Sequence, residues 1–336
     1  MNNLKWVLIL LGLASMVQGV VLVLPPYFSE LFILASINAI LAVSLNLVNG
    51  LSGQFSLGQA GFMAVGAYTA ASVNVFLLSS LHASRAGDQF ALILSLLCAA
   101  AASGFVGYLV GLPTLRLRGD YLAIATLGVG EIIRVVILNI DKVGGARGFF
   151  GIPSTTSAFL VTFILLACVL ATHRFVMSSQ GRALLALREN EIAAEAMGVD
   201  TTAYKVQAFV ASSAVAGVAG GLFAHYLSYI NPSSFDFMKS VEIVIMVVLG
   251  GMGSVSGSVL AAFVLTLLPE ALRPLQNWTH VDLRMVIYAL LLIGMMILRP
   301  KGIFGRKELW QMVRLKRPKF FSAKTSGERP EDERQG

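Results

Sequence analysis

Glu131 and Arg134 stand three residues apart in a stretch, Tyr121–Ile140, that is otherwise mostly apolar. At that spacing the two side chains share one helical face and can pair. Glu131 lies ten residues beyond Tyr121, about 15 Å along a helix and close to the middle of a membrane span. Ionisable groups at such depth are costly and face a protein interior or a watered cavity. Two chemistries are open to the pair. It can be a polar site on a transport path, with Glu131 able to carry a proton, or an ion pair that locks helices together.

Backbone polarity offers a second kind of chemistry. From Asn49 to Phe62 the chain reads NGLSGQFSLGQAGF, with Asn46 just ahead of it. Glycine and small polar residues this dense do not make a stable regular helix, and irregular backbone at membrane depth survives only where protein or water covers it. Transporters line substrate paths with such breaks; small residues also let helices pack closely. Asn46, Gly53, Ser56, Gly58 and Gln59 are therefore path candidates alongside Glu131 and Arg134. A second break, Gly250–Gly257 (GGMGSVSG), leaves open whether the core is duplicated.

A third feature is the polar connection from Ser178 to Lys205, rich in Ala, Leu, Glu and Arg, which are strong helix formers. Leu184, Leu185, Ile192 and Met197 are expected to pack, while Arg182, Arg188, Glu189, Asn190, Glu191 and Glu195 stay polar. Gly198 is placed to end the helix. Its mixed charges suit a protein groove better than a lipid surface.

Several chemistries find no support. Cys98 and Cys168 both sit in apolar runs and read as packing residues, and the four histidines have no metal-ligand spacing. The chain contains no Gly-Lys dipeptide, hence no phosphate-binding loop of the Walker A type, and no HExxH or GxSxG. Neither a catalytic residue nor a cofactor is expected, and the Asn277–Thr279 sequon reads as chance.

The elements that must hold these residues are membrane helices. Hydrophobic residues make up 56% of the 336 and charged ones 13%, against the roughly 25% charged of soluble domains. The mean hydropathy is +0.77. Runs near the ~20 residues needed to span occur at Trp6–Leu24, Leu31–Val48, Leu57–Leu78, Phe90–Leu112, Tyr121–Ile140, Ala158–Val176 and Val206–Leu227, then Val241–Leu249, Val259–Leu268 and Leu283–Leu298. The fold class is all-α, a polytopic bundle of about ten helices with glycine-rich breaks. The eighth and ninth runs are short for full spans, so they are either broken helices or parts of helices that extend past these limits. The first has the look of a signal peptide, with Lys5 in front, but is long and lacks an A-x-A site, so it is expected to stay as a helix.

The net charge of +7 does not point to nucleic acid, because the basic residues crowd into short connections and the C-terminal end. With both termini in the cytoplasm, 18 Lys and Arg fall inside and 6 outside; distant tail charges weigh little, yet the bias holds without them. Both breaks and the 178–205 connection then lie on the cytoplasmic side. Residues 1–306 form one transmembrane domain, and the charged 307–336 segment reads as a disordered cytoplasmic tail.

Taken together, the motifs resemble the LivM-type permease family of branched-chain amino-acid ABC importers. Gly53–Tyr68 (GQFSLGQAGFMAVGAY) is similar to that family's SLGxxxFxxxGAY signature. Leu112–Glu131, Gly181–Asp200, Leu249–Gly257 and the ending RPKGIFG at Arg299–Gly305 resemble further family segments, so the likeness runs from about residue 30 to about 306. It implies a bacterial inner-membrane protein that moves amino acids, branched-chain ones foremost, on ATP hydrolysed elsewhere. Its implied partners are a second, homologous permease, two ABC ATPase subunits and a periplasmic or surface binding protein. It also implies that Gly181–Asp200 is the loop that couples to the ATPase. Ala193, Ala194 and Gly198 match an EAAxxxG core, with Leu187, Arg188, Glu189, Asn190 and Glu191 beside it. Ile192 stands where the family has Glu, and the downstream IxLP of many importers is missing. Members of the family also serve urea, amides and other amino acids, so the exact substrate is not readable. The alternative from another class is a self-sufficient secondary transporter of a small polar solute.

Overall fold

The computed structural model describes residues 2–23, 25–78, 85–115, 117 and 119–271, together with 289, 290, 293, 294, 302 and 305. The expected tail 307–336, the sequon and nearly all of the expected span Leu283–Leu298 lie outside the described residues. Helices dominate: α1 (Asn2–Val23), α2 (Pro26–Asn46), α3 (Gln59–Ser72), α4 (Arg85–Thr114), α5 (Asp120–Leu138), α6 (Ala158–Met177), α7 (Ser179–Glu189), α8 (Glu191–Ala196), α9 (Thr201–Leu227), α10 (Phe237–Gly250) and α11 (Val255–Ala271). Among the described residues, six helical segments are long and apolar enough to cross a membrane: Pro26–Ser52, Gln59–Leu77, Gly87–Thr114, Asp120–Leu138, Ala158–Met177 and Thr201–Leu227. The fold is thus an all-helical membrane bundle.

α10, 14 residues long, reaches only about 21 Å, less than the ~30 Å hydrocarbon core. It starts four residues earlier than the apolar run Val241–Leu249, because Asp236 caps it by accepting from the Lys239 amide at 3.0 Å. α10 and α11 pack on each other and on α2 as a hairpin, joined by the second glycine break.

α2 and α9 form the centre. α9 packs along α3, α4 and α2, and its approach to α3 is one only glycine permits. A methyl on Gly66 would overlap the Gly217 backbone, and one on Gly220 would strike the Met63 carbonyl. Small residues bring two backbones together here, the usual device of membrane helix packing. Phe62 and Phe209 meet edge to face at 5.4 Å just beside this contact. α5 and α6 have the smallest shares of buried residues among the six candidate spans.

At the end of the bundle where α9 finishes, Phe149–Phe150 (β1) pairs antiparallel with Tyr229–Ile230 (β2). Phe150 stacks on Tyr229 at 4.4 Å, and the Tyr229 hydroxyl donates to the Arg147 carbonyl at 3.2 Å. The opposite end carries α7, α8 and both glycine breaks.

Candidate functional site: two glycine breaks and a helix pair

α2 does not stop cleanly. It widens into a π-helical turn, Leu47–Ser52, and Gly53 follows at φ +71°, a conformation that favours glycine. The loop then folds around Asn49, whose Oδ1 accepts from the Ser56 amide at 3.1 Å while Nδ2 donates to the Ser56 carbonyl at 3.4 Å. Beyond it the start of α3 is pinned from three sides. Gln59 Nε2 donates to Ser44 Oγ at 2.5 Å, the Ala60 amide to Ser240 Oγ at 3.2 Å, and the Leu57 amide to Thr126 Oγ1 at 3.0 Å. Ser56, Gly58 and Gln59 are buried, and a methyl on Gly58 would lie 2.6 Å from the Thr126 carbonyl.

The second break comes back to the first. The Gly253 amide donates to Asn46 Oδ1 at 2.8 Å, so the fully buried Asn46 ties two segments 207 positions apart in the chain. Lone amides inside a bundle need such partners.

The Ser178–Lys205 connection is two helices rather than one. Asn190 ends α7 in an extended conformation and caps α8, its Oδ1 accepting from the Ala193 amide at 3.1 Å. Gly198 closes α8 at φ +81°, as its position predicts. Asp200 caps α9 by accepting from the Ala203 amide at 3.0 Å. Leu184, Leu187 and Ala194 form a small core with Leu47, Leu51 and Ala208, which seats the helix pair on the π turn. Lys205 Nζ donates to Glu191 Oε1 at 2.6 Å and ties α8 to α9.

Three expectations are reversed, two by the kink at Asn190 and one by the packed face of α7. Ile192 and Met197, expected to pack, are 74% and 84% exposed. Arg188, expected to stay on the polar surface, has a side chain only 17% exposed, and its Nη1 donates to the Gly50 carbonyl at 2.6 Å. Glu189 faces out, 59% exposed.

Glu131 and Arg134 do pair, Nε to Oε2 at 2.7 Å. Among the described residues the pair is made within α5 alone. The side chains of Glu131 and Arg134 are 34% and 28% exposed, on one of the two candidate spans with the smallest share of buried residues.

Sequence reasoning missed a further polar cluster. Lys239 Nζ donates to Glu242 Oε2 at 2.9 Å and to Asn38 Oδ1 at 3.1 Å, and Asn38 Nδ2 donates to Thr266 Oγ1 at 3.0 Å. It joins α10, α2 and α11. Its signal was the i, i+3 charge pair just ahead of an apolar run, with Asn38 inside another. Among the described residues, no group of His, Cys, Asp and Glu could hold a metal ion.

A family model described as the branched-chain amino acid transport system permease component matches residues 27–298. The LivM permease protein of the high-affinity branched-chain amino acid transport system of Salmonella typhimurium is 39% identical over 299 residues, covering 79% of this chain and 67% of the relative. Its Escherichia coli counterpart is 39% identical over 305 residues, covering 80% and 68%. The LivH permease protein of Salmonella typhimurium is 26% identical over 296 residues, covering 88% and 90%. No solved structure matches significantly.

Proposed function

The chain belongs to the branched-chain amino acid transport permease family, and from that premise we propose that it works as one half of a two-permease pore driven through α7 and α8. It is a multi-pass membrane protein and the permease component of such a system, not an enzyme. The proposed partners are a second permease of the same family, ABC ATPase subunits beneath α7 and α8, and a binding protein that delivers substrate at the β1–β2 end. Both termini are proposed to face the cytoplasm, on the Lys/Arg bias.

One observation carries the coupling role. α8 presents Ile192 and Met197, two large apolar side chains, on an otherwise polar connection while its other side is anchored by Ala194. Polar connections do not ordinarily display such residues together, and a groove on a partner would bury them. Full burial of one such side chain contributes about 1.5–3 kcal/mol. Replacing both with Glu leaves the inner core of α7 and α8 untouched. ATPase subunits should then be lost on co-purification while the permease still inserts. Full retention of the ATPase subunits by the double variant would refute the docking role.

Glu131 and Arg134 on α5 are proposed to line the path or the seam with the second permease. Lys239, Glu242 and Asn38 form a second candidate site at the start of α10. Ser56, Gly58 and Gln59 are proposed to serve packing rather than substrate contact.

A further inference from the structure

Arg188 occupies a slot that side chains elsewhere would close. A methyl on Gly53, in the first break, would lie 2.7 Å from its Cγ. A methyl on Gly253, in the second break, would lie 2.9 Å from its Nη1. Both glycines have positive φ, +71° and +95°, a backbone conformation that favours glycine at each. Nη1 donates to the Gly50 carbonyl at 2.6 Å. That carbonyl belongs to the π turn at the C-terminal end of α2, where helix carbonyls run out of intrahelical donors and the dipole favours a cation. Arg188 therefore caps the end of α2 from a different element, α7. Nη2 reaches the Glu189 carboxylate at 3.2 Å, which holds the guanidinium in place.

The neighbourhood makes this one connected unit. Asn46 joins the first break to the Gly253 amide. Leu184 and Leu187 seat α7 on Leu47 and Leu51 of the same π turn. Arg188 is the only described residue of α7 or α8 whose side chain donates to the glycine breaks. Among the described residues, Arg188 Nε and Asn46 Nδ2 find no acceptor although both are buried. A buried donor left unsatisfied is unfavourable, so this junction keeps hydrogen-bonding capacity that a second arrangement could use.

We propose that Arg188 is a positioning residue that transmits movement of α7 and α8 to both glycine breaks at once. The proposal rests on α7 and α8 receiving the ATPase stroke. It adds that the stroke is passed on through the Arg188–Gly50 bond and the Gly53–Gly253 slot rather than through the helix pair's apolar core alone. Arg188 acts on the breaks and touches neither substrate nor ATP.

The test uses the assembled transporter with its second permease, ATPase subunits and binding protein, reconstituted in liposomes. Three quantities are read for each variant: ATPase subunits retained, ATP hydrolysed, and leucine taken up per ATP. Arg188→Met keeps most of the side-chain length and loses every donor. It should retain the ATPase subunits and lower leucine per ATP by about tenfold or more, the scale of one charged hydrogen bond. Arg188→Lys can still reach the Gly50 carbonyl and should hold the ratio within about threefold of wild type. A merely structural role would reduce assembly, and hydrolysis and uptake together, leaving the ratio unchanged. A wild-type ratio in assembled Arg188→Met overturns the proposal. Should Arg188→Met not assemble, Arg188→Gln carries the same criterion, since its amide is too short for the same bond. The two readings fail separately. ATPase loss in the Ile192 and Met197 double variant, combined with a wild-type ratio in Arg188→Met, keeps the docking role and removes the latch.

Discussion

Replacing Glu131 by Gln removes one charge from the pair it forms with Arg134 and leaves the helix geometry intact. The magnitude follows from where the pair sits. At the 2.7 Å separation observed, fully buried partners would cost about 3–5 kcal/mol to break, because a lone charge stays behind. Fully exposed partners would cost about 0–1 kcal/mol. Both side chains are about one-third exposed in this chain, so Glu131→Gln should cost about 1–3 kcal/mol in the assembled transporter. Arg134→Gln should cost a similar amount. The double variant Glu131→Gln/Arg134→Gln leaves no orphan charge and should lose less than the sum by about 1–2 kcal/mol. The assay is thermal unfolding of the purified complex across the four members of this cycle, with initial leucine uptake measured on the same preparations. Uptake separates the two uses of the pair. If it lines the path, the double variant regains stability and still transports poorly. Additivity of the two single variants within about 0.5 kcal/mol would refute the coupling. Stability and uptake at wild-type levels in Glu131→Gln would remove the pair from the site altogether.

Lys239→Met should weaken uptake and stability together. It strands the partly exposed Glu242 and leaves the buried Asn38 Oδ1 without its donor, an expected loss of about 1–3 kcal/mol for the unsatisfied buried oxygen; unchanged melting and uptake would show the cluster idle. Reporter fusions at Gly151 and Ser234 should give an external signal, and one after the last residue a cytoplasmic signal. The reverse pattern would overturn the orientation drawn from Lys and Arg.

The spans were legible because a run of about twenty apolar residues has few other uses. Pro26–Ser52, Asp120–Leu138 and Thr201–Leu227 lie close to the expected Leu31–Val48, Tyr121–Ile140 and Val206–Leu227. The breaks were legible from glycine density, and Gly198 from its place after a helix. What stayed hidden are long-range facts. That Asn46 meets Gly253 depends on how the α10–α11 hairpin sits against α2, which no local pattern encodes. The outward direction of Ile192 and Met197 does not follow from one helix running through the Ser178–Lys205 connection to Gly198. Asn190 is itself a good N-cap residue followed by Glu191, and reading it so would have split the segment. Once split, the face of α8 turns and Ile192 and Met197 go outward, while Arg188, one turn beyond the buried Leu184, goes inward with the packed face of α7. Lys239 precedes the apolar run Val241–Leu249, so its place in the sequence looks like a connection. The Asp236 cap pulls it into the first turn of α10 instead.

The central claim is that this permease is driven by ATP through docked partner subunits. Leucine uptake into proteoliposomes holding the complete transporter tests it most directly, with ATP supplied to the ATPase side and an uncoupler present. The account predicts uptake that requires ATP, continues when the proton gradient is collapsed, and stops when the ATPase subunits are omitted. Uptake by the permeases alone, driven by a proton gradient and abolished by the uncoupler, would contradict it.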